Sequence, residues 1–241
     1  MAQDQHHHYD HYTPEMAARL DGFYGAVDDR MNARIRDHVC GRKVLDVGCG
    51  FGQLVEHLRV RGFEATGVDL LEFCLTEGRK RYPEADLRLV EGDRLPFSDL
   101  EFDTVVLKDV FHHIYGERNA AQFLGEIKRI TRHRLIVLDP NPTWILLLSR
   151  KLISHTDPVC TPQDVCRLLE DSGFKIATVR YDELVAFPLS GGFVGPVLVP
   201  SGKIGSLVLA VDSALRSAVQ ILGLSKMLCW RFQVVADVGK R

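Results

Sequence analysis

The chain has 241 residues, 46% of them hydrophobic and 26% charged, with a formal net charge of -2. That length suits one domain with a substantial core, and the near-balanced charge argues against a nucleic-acid partner, which would require a basic field. Six cysteines lie scattered, with no CxxC pair and no zinc-ligand spacing, so reduced thiols in a cytoplasm are expected, no secretory start is read, and no metal is assigned.

In chain order, "HHHYDH" (His6 to His11) is a solvated start without the fixed geometry of a metal site. Pro14 to His38 carries Met16, Leu20, Phe23, Tyr24 and Val27 at helical spacing and predicts one helix. From Arg42 to Asp139, strand and helix patterns alternate. "KVLDVG" is a buried strand, "QLVEHLRVRG" an amphipathic helix closed at Gly62, and "FEATGVDL" a second strand. "LEFCLTEGRKRYP" is a helix stopped by Pro83, and "DLRLVEGD" and "FDTVVLKD" are strands three and four. A helix over Ala120 to Ile130 leads to "RLIVLD", strand five. "TPQDVCRLLEDSGF" follows as a helix with Thr161 as N-cap, Pro162 at N1 and Gly173 as C-cap. "KIATVRYDE" and "CWRFQVVAD" read as strands six and seven, separated by an insert from about Phe187 to Leu228. This rhythm predicts an α/β fold with a parallel sheet covered on both faces. The expected layout is an N-terminal helical cap at 1–40, a core at 41–140 and the insert at 187–228.

The first strand ends in Asp46 and runs into Gly48-Cys49-Gly50-Phe51-Gly52. Glycines permit a tight turn and a close ligand approach. A dinucleotide fingerprint needs GxGxxG, but Gln53 holds the third glycine's place and Gly52 falls one position early. Asp46 would repel a diphosphate and suits a cation instead. Asp69 ends strand two, where a carboxylate can accept from both ribose hydroxyls, and Asp93 follows strand three, within reach of an adenine amino group. Acids after strands are also common turn formers, but three at successive strand ends form a set suited to a positively charged nucleoside such as S-adenosylmethionine.

The stretches "VLDVGCGFGQL", "ATGVDL", "VEGDRLPFSDLEFDTVVLKDVFHHI" and "FLGEIKRI" resemble the class I S-adenosylmethionine-dependent methyltransferases, of the small-molecule branch called type 11. The resemblance implies a Rossmann-like seven-stranded sheet of order 3-2-1-4-5-7-6 with strand seven antiparallel. It also implies an N-terminal helical lid and the inserted helical segment before the last strand. It places Asp46, Gly48 and Gly50 along the methionine portion of the cofactor and Asp69 at the ribose. Asp93 and Arg94 flank the adenine, and Lys108 and Asp109 sit where strand four meets the pocket. Cys49, Gln53, Leu70, Gly92 and Tyr12 complete the expected cofactor set, with S-adenosylhomocysteine as product. One departure is "ITRHRLIVLD", which stands where the family has a glycine turn before strand five.

Methyl transfer is an in-line displacement in which positioning can supply up to ~7–11 kcal/mol. Where the acceptor must lose a proton, His113 and His112 in "KDVFHHI" are the candidate bases; histidine here also serves as a packing residue. Tyr12, Tyr24 and Arg30 are expected along the wall formed by the N-terminal helix. "DPNPTW" resembles the acidic-proline motif of nucleic-acid amino methyltransferases, but it follows strand five instead of strand four, and that reading is rejected.

In the insert, Ile204 to Leu224 places Ile204, Leu207, Val208, Val211, Leu215, Ala218 and Leu222 on one helical face. Asp212, Arg216 and Gln220 fall on the other. The length would cross a bilayer, but Asp212 and Arg216 near the centre would each cost ~2.5–3.5 kcal/mol. The segment is expected to be a lid over the site, a surface helix touching membrane or lipid across 204–224, or homodimer packing. The apolar material favours a hydrophobic or lipid-linked acceptor; methylation at oxygen is expected, the alternatives being methylation at N or C of a small metabolite, or a regulatory protein that binds S-adenosylmethionine without catalysis.

Overall fold

The computed structural model describes residues 13–91, 94–115, 120–152, 159–192 and 195–239. The N-terminal segment forms two helices, α1 (Pro14–Arg19) and α2 (Phe23–Arg36). The continuous helix that periodicity predicts is broken at Leu20 to Gly22, where Gly22 takes an extended conformation as the cap of α2. The core then runs β1 (Lys43–Val47), α3 (Gln53–Arg59), β2 (Glu64–Asp69), α4 (Glu72–Arg81) and β3 (Asp86–Leu89). α4 ends two residues before Pro83, whose ring disfavours helical backbone in the residue preceding it.

Next come β4 (Phe102–Lys108), α5 (Phe111–Tyr115), α6 (Ala120–Ile130) and β5 (Thr131–Pro140). α6 passes directly into β5, which accounts for the missing glycine turn: Thr131 Oγ1 closes the junction by donating to the Ile127 carbonyl at 2.6 Å. The chain continues through α7 (Trp144–Leu152), α8 (Pro162–Asp171), β6 (Phe174–Asp182), α9 (Ala186–Leu189), α10 (Lys203–Ile221), α11 (Ser225–Leu228) and β7 (Arg231–Val238). α8 begins with the expected cap. Thr161 Oγ1 accepts from the Asp164 N–H at 3.1 Å, and the Asp164 carboxylate accepts from the Thr161 N–H at 3.2 Å.

The seven strands form one sheet of order β3-β2-β1-β4-β5-β7-β6. β7 runs antiparallel to both β5 and β6, and the remaining neighbours are parallel. Successive side chains alternate between faces, as the period of two requires. Leu45, Val105 and Val137 pack with α6 and α8 residues such as Leu124, Ile127 and Val165. Val44, Val106 and Ile136 pack on the opposite face with Ile35 of α2 and Leu54 and Leu58 of α3. Each fully buried side chain of this size contributes about 1.5–3 kcal/mol. The paired cores hold the carboxyl ends of β1, β2 and β4 level with one another, where an open α/β sheet binds its ligand.

Candidate cofactor and acceptor site

β1 hands over to α3 through a turn in which Gly48, Gly50 and Gly52 have φ of +73°, +52° and +80°. This left-handed backbone costs other residues about 1–2 kcal/mol. Two of the glycines have different further reasons. A Cβ on Gly48 would lie 2.3 Å from Val110 Cγ2, so its absence lets the ends of β1 and β4 close up. A Cβ on Gly50 would meet nothing within 4 Å. Its bare backbone faces open space at the wall of a cavity of about 260 Å³.

Of the residues the sequence nominates, Asp46, Gly48, Cys49, Gly50 and Gln53 line this cavity, together with Asp69, Leu70, Lys108, Asp109 and His113. Asp46 is buried, and its Oδ1 has no hydrogen-bond partner among the described residues. Burial raises its carboxyl to about 7; Lys108 opposes that rise, and Asp69, Asp28 and Asp109 add to it. Asp69 accepts from the Gly50 N–H at 2.7 Å and the Leu71 N–H at 2.9 Å, one on each oxygen. Burial raises its carboxyl as well, and these backbone N–H groups oppose the rise. Each oxygen keeps a further lone pair for a ligand hydroxyl. Cys49 is buried and its thiol is pushed up by that burial and by Asp46, so it stays protonated.

The other two acids have partners. Lys108 Nζ donates to Asp28 Oδ1 at 2.6 Å and to Asn32 Oδ1 at 2.7 Å, tying β4 to α2. Asp109, itself at φ +59°, is paired with Arg231 of β7. Burial disfavours its charge, but the guanidinium more than compensates and holds the carboxyl below its ordinary value. Asp46 and Asp69 are left as the uncompensated carboxyls of the cavity. A buried carboxylate oxygen without a partner, beside a backbone with no Cβ, fits a ligand that carries a cation next to a narrow chain. S-Adenosylmethionine has that character, and a diphosphate does not.

The two histidines separate. His113 lines the cavity beside Val110, Ile114 and Phe123. His112 does not: it is buried, and its Nδ1 lies 3.0 Å from Asp139 Oδ1. Burial opposes charge on His112, but the Asp139 carboxylate outweighs it and raises the imidazole above its ordinary value. Arg94 is exposed and does not line the cavity, whereas its neighbour Leu95 does. Gly92, Asp93 and Tyr12 lie outside the described residues. On the N-terminal wall Tyr24 faces the cavity, but Arg30 points away to Glu183 and Asp212.

Asp28 and Arg231 are site residues that the sequence reading does not nominate. No local signal marks Asp28, whose partner lies 80 residues away. An arginine inside the apolar run "RFQVVA" is a signal that could have marked Arg231. Asn141 of "DPNPTW" donates to the Lys226 and Cys229 carbonyls at 3.0 and 2.8 Å, so its amide serves the fold. Among the described residues no group of His, Cys, Asp or Glu is arranged to hold a metal.

A family described as "Methyltransferase domain" matches residues 45–138, the span that contains this turn and the ends of β2 and β4. A Mycolicibacterium smegmatis protein named "Probable S-adenosylmethionine-dependent methyltransferase" is 29% identical over 59% of this chain and 56% of its own length. An Acinetobacter baumannii "Ubiquinone biosynthesis O-methyltransferase" is 32% identical over 32% of this chain and 35% of its own length. The chain therefore spans about half or less of the curated relatives it matches. Among solved structures, an S-adenosylmethionine-dependent methyltransferase of Archaeoglobus fulgidus aligns with a TM-score of 0.63 at 17% identity, covering 89% of this chain and 94% of that one. That likeness establishes the fold. Residues 45–138 are thus similar to a methyltransferase domain, and the sheet that carries them has the fold of solved S-adenosylmethionine-dependent methyltransferases.

Proposed function

We propose that this chain transfers a methyl group from S-adenosylmethionine to oxygen of a small, hydrophobic or lipid-linked acceptor. The observation that carries the reading is the buried, partnerless Asp46 oxygen beside the open side of Gly50. When bound, the cofactor supplies a methyl group already activated on a sulfonium sulfur. Asp46 would hold its positive methionine end and Asp69 its ribose hydroxyls. Val110, Ile114 and Phe123 give the neighbouring cavity wall an apolar character that excludes water and favours an apolar acceptor. His113, on that same wall, is placed to take a proton from an acceptor hydroxyl. His112, fixed on Asp139, supports it from behind, with the two rings 4.1 Å apart.

The name of the Acinetobacter baumannii relative supports oxygen as the accepting atom and a quinone-related ring as the acceptor class. All six cysteines are free thiols, which supports a reducing, cytoplasmic setting. The test is transfer of labelled methyl from S-adenosylmethionine into cell extract split into organic and aqueous phases. Label is expected in an organic-phase product, as a methyl ether or ester. Label confined to aqueous products would overturn the acceptor class, and no transfer into either phase would overturn the activity.

A further inference from the structure

α10 is amphipathic, but it is mounted with its polar stripe inward. Asp212 Oδ1 accepts from the N–H groups of Leu184, Val185 and Ala186 at 3.2, 2.6 and 2.9 Å. The other Asp212 oxygen pairs with Arg30 at 2.7 Å. One turn on, Arg216 donates to Asp182 at 2.9 Å. Near the helix start Gly205 seats against Phe23, whose ring would lie 2.8 Å from a Cβ at that position. These contacts turn Ile204, Leu207, Val211, Leu215, Ile221 and Leu222 outward, each between 43% and 85% exposed. By length and composition this helix could cross a membrane, but Asp212 and Arg216 are committed to the protein, so it cannot leave the fold to span one. A continuous apolar stripe about 28 Å long, held outward by buried polar contacts, marks an interaction surface.

Charge selects the occupant. From 195 to 230 the sole acid is Asp212, which is buried, and the basic residues are Lys203, Arg216 and Lys226. Lys203 opens the helix, and Lys226 follows its far end within α11. Both are exposed, so this segment presents cations and no exposed carboxylate of its own; the nearby Asp21, next to Gly22 at Ser201, is neutralised by Arg81. Two-fold packing of this stripe against a second copy would bring lysine against lysine at its ends, whichever way the helices ran. Headgroups of an anionic bilayer would neutralise both. The Asn141 bonds to the Lys226 and Cys229 carbonyls bring the start of α7 beside α11, and there Trp144 is 64% exposed. Exposed tryptophan and lysine bordering aliphatic side chains is the composition of a helix lying at a lipid–water boundary.

We propose that α10, extended by the start of α7, docks the protein on an anionic lipid bilayer with the helix lying in the membrane plane. Phe23, on which the inner face of α10 rests, precedes Tyr24 of the cavity wall, so the docking helix is mounted on the element that walls the site.

The test is flotation of the full chain with vesicles of phosphatidylcholine alone or mixed equally with phosphatidylglycerol. The protein is expected to float with the anionic vesicles, with Trp144 emission shifting to the blue. Lys203→Gln together with Lys226→Gln should weaken partitioning by about thirtyfold, each lysine near an anionic surface being worth roughly fivefold. Leu207→Ser with Leu215→Ser should abolish flotation while leaving the melting temperature and S-adenosylhomocysteine binding unchanged, because both side chains are exposed. Failure to float, or flotation indifferent to both variants, would overturn the proposal. So would a dimer in sedimentation that the leucine variant dissolves without any vesicle binding, which would assign the stripe to a second copy. S-Adenosylhomocysteine binding, read by calorimetry on the same samples, separates failure here from failure of the methyl-transfer reading.

Discussion

Replacing Asp46 with Asn should uncouple cofactor affinity from pH. Burial holds this carboxyl up at about 7, against the pull of Lys108, so near neutrality the ligand-free site is about half protonated. A ligand ammonium placed against the partnerless Oδ1 favours the carboxylate, and binding at pH 7 should therefore release about half a proton. From pH 6 to pH 7.5 the ionised fraction rises from about one-tenth to about three-quarters, so affinity should climb about eightfold. Calorimetric titration with S-adenosylhomocysteine in buffers of different ionisation enthalpy measures both quantities. The Asp46→Asn protein should bind more weakly and show only the ligand's own titration across that range. A wild-type profile that superimposes on the variant's would refute the reasoning. The sign for stability is opposite. The folded, ligand-free protein holds this proton more tightly than an unfolded chain with its carboxyl near 3.8, so stability falls as pH rises from about 4 and levels off above about 7. The loss is at most about 4 kcal/mol, and in thermal melts without ligand Asp46→Asn should gain on the wild type as pH rises.

Gly50→Ala should cost about 1–2 kcal/mol of stability for its left-handed backbone and at least about tenfold in S-adenosylhomocysteine affinity, since its Cβ fills the ligand's space. Gly48→Ala meets Val110 as well and should destabilise more, as chemical denaturation would show. Asp212→Ala leaves three backbone N–H groups without their acceptor, while Arg30 keeps Glu183, and should cost about 1–3 kcal/mol for each buried group left unsatisfied; a melting temperature within a degree or two of wild type would contradict the role given to this residue. His113→Ala should lower methyl transfer by about 10²–10⁴-fold with the fold intact. His112→Ala should lower stability first, by removing the partner of buried Asp139, and unchanged turnover in both would remove histidine from the mechanism.

The strand–helix rhythm and the β1–glycine–α3 turn were legible because their signals are local: apolar runs, an acid at each strand end and glycines where φ is positive; the sheet order followed only from the family resemblance. Asp69 followed for the same reason, its carboxylate being set by Gly50 and Leu71 close at hand in space. The neutralising partners were not legible. Asp28 reaches Lys108 and Arg231 reaches Asp109 only after distant elements pack together, and nothing in the pattern of α2 or β7 states that pairing. The same limit governs α10. Periodicity groups Ile204, Leu207, Val211, Leu215 and Leu222 correctly but misplaces Val208, which packs with Phe23, and Gln220, which is exposed; which face turns inward depends on Arg30, Asp182 and the N–H groups at 184–186, outside the helix. The expected continuity of the N-terminal helix failed for a local reason: the break at Leu20 to Gly22 interrupts an apolar spacing that itself continues unbroken.

If the cavity at the ends of β1, β2 and β4 takes a cationic nucleoside, parallel titration with S-adenosylmethionine, S-adenosylhomocysteine and NAD will show it. The first two should bind saturably at one site, weakened by Asp46→Asn, and NAD should not bind. Tight binding of NAD with none of S-adenosylmethionine would contradict that assignment.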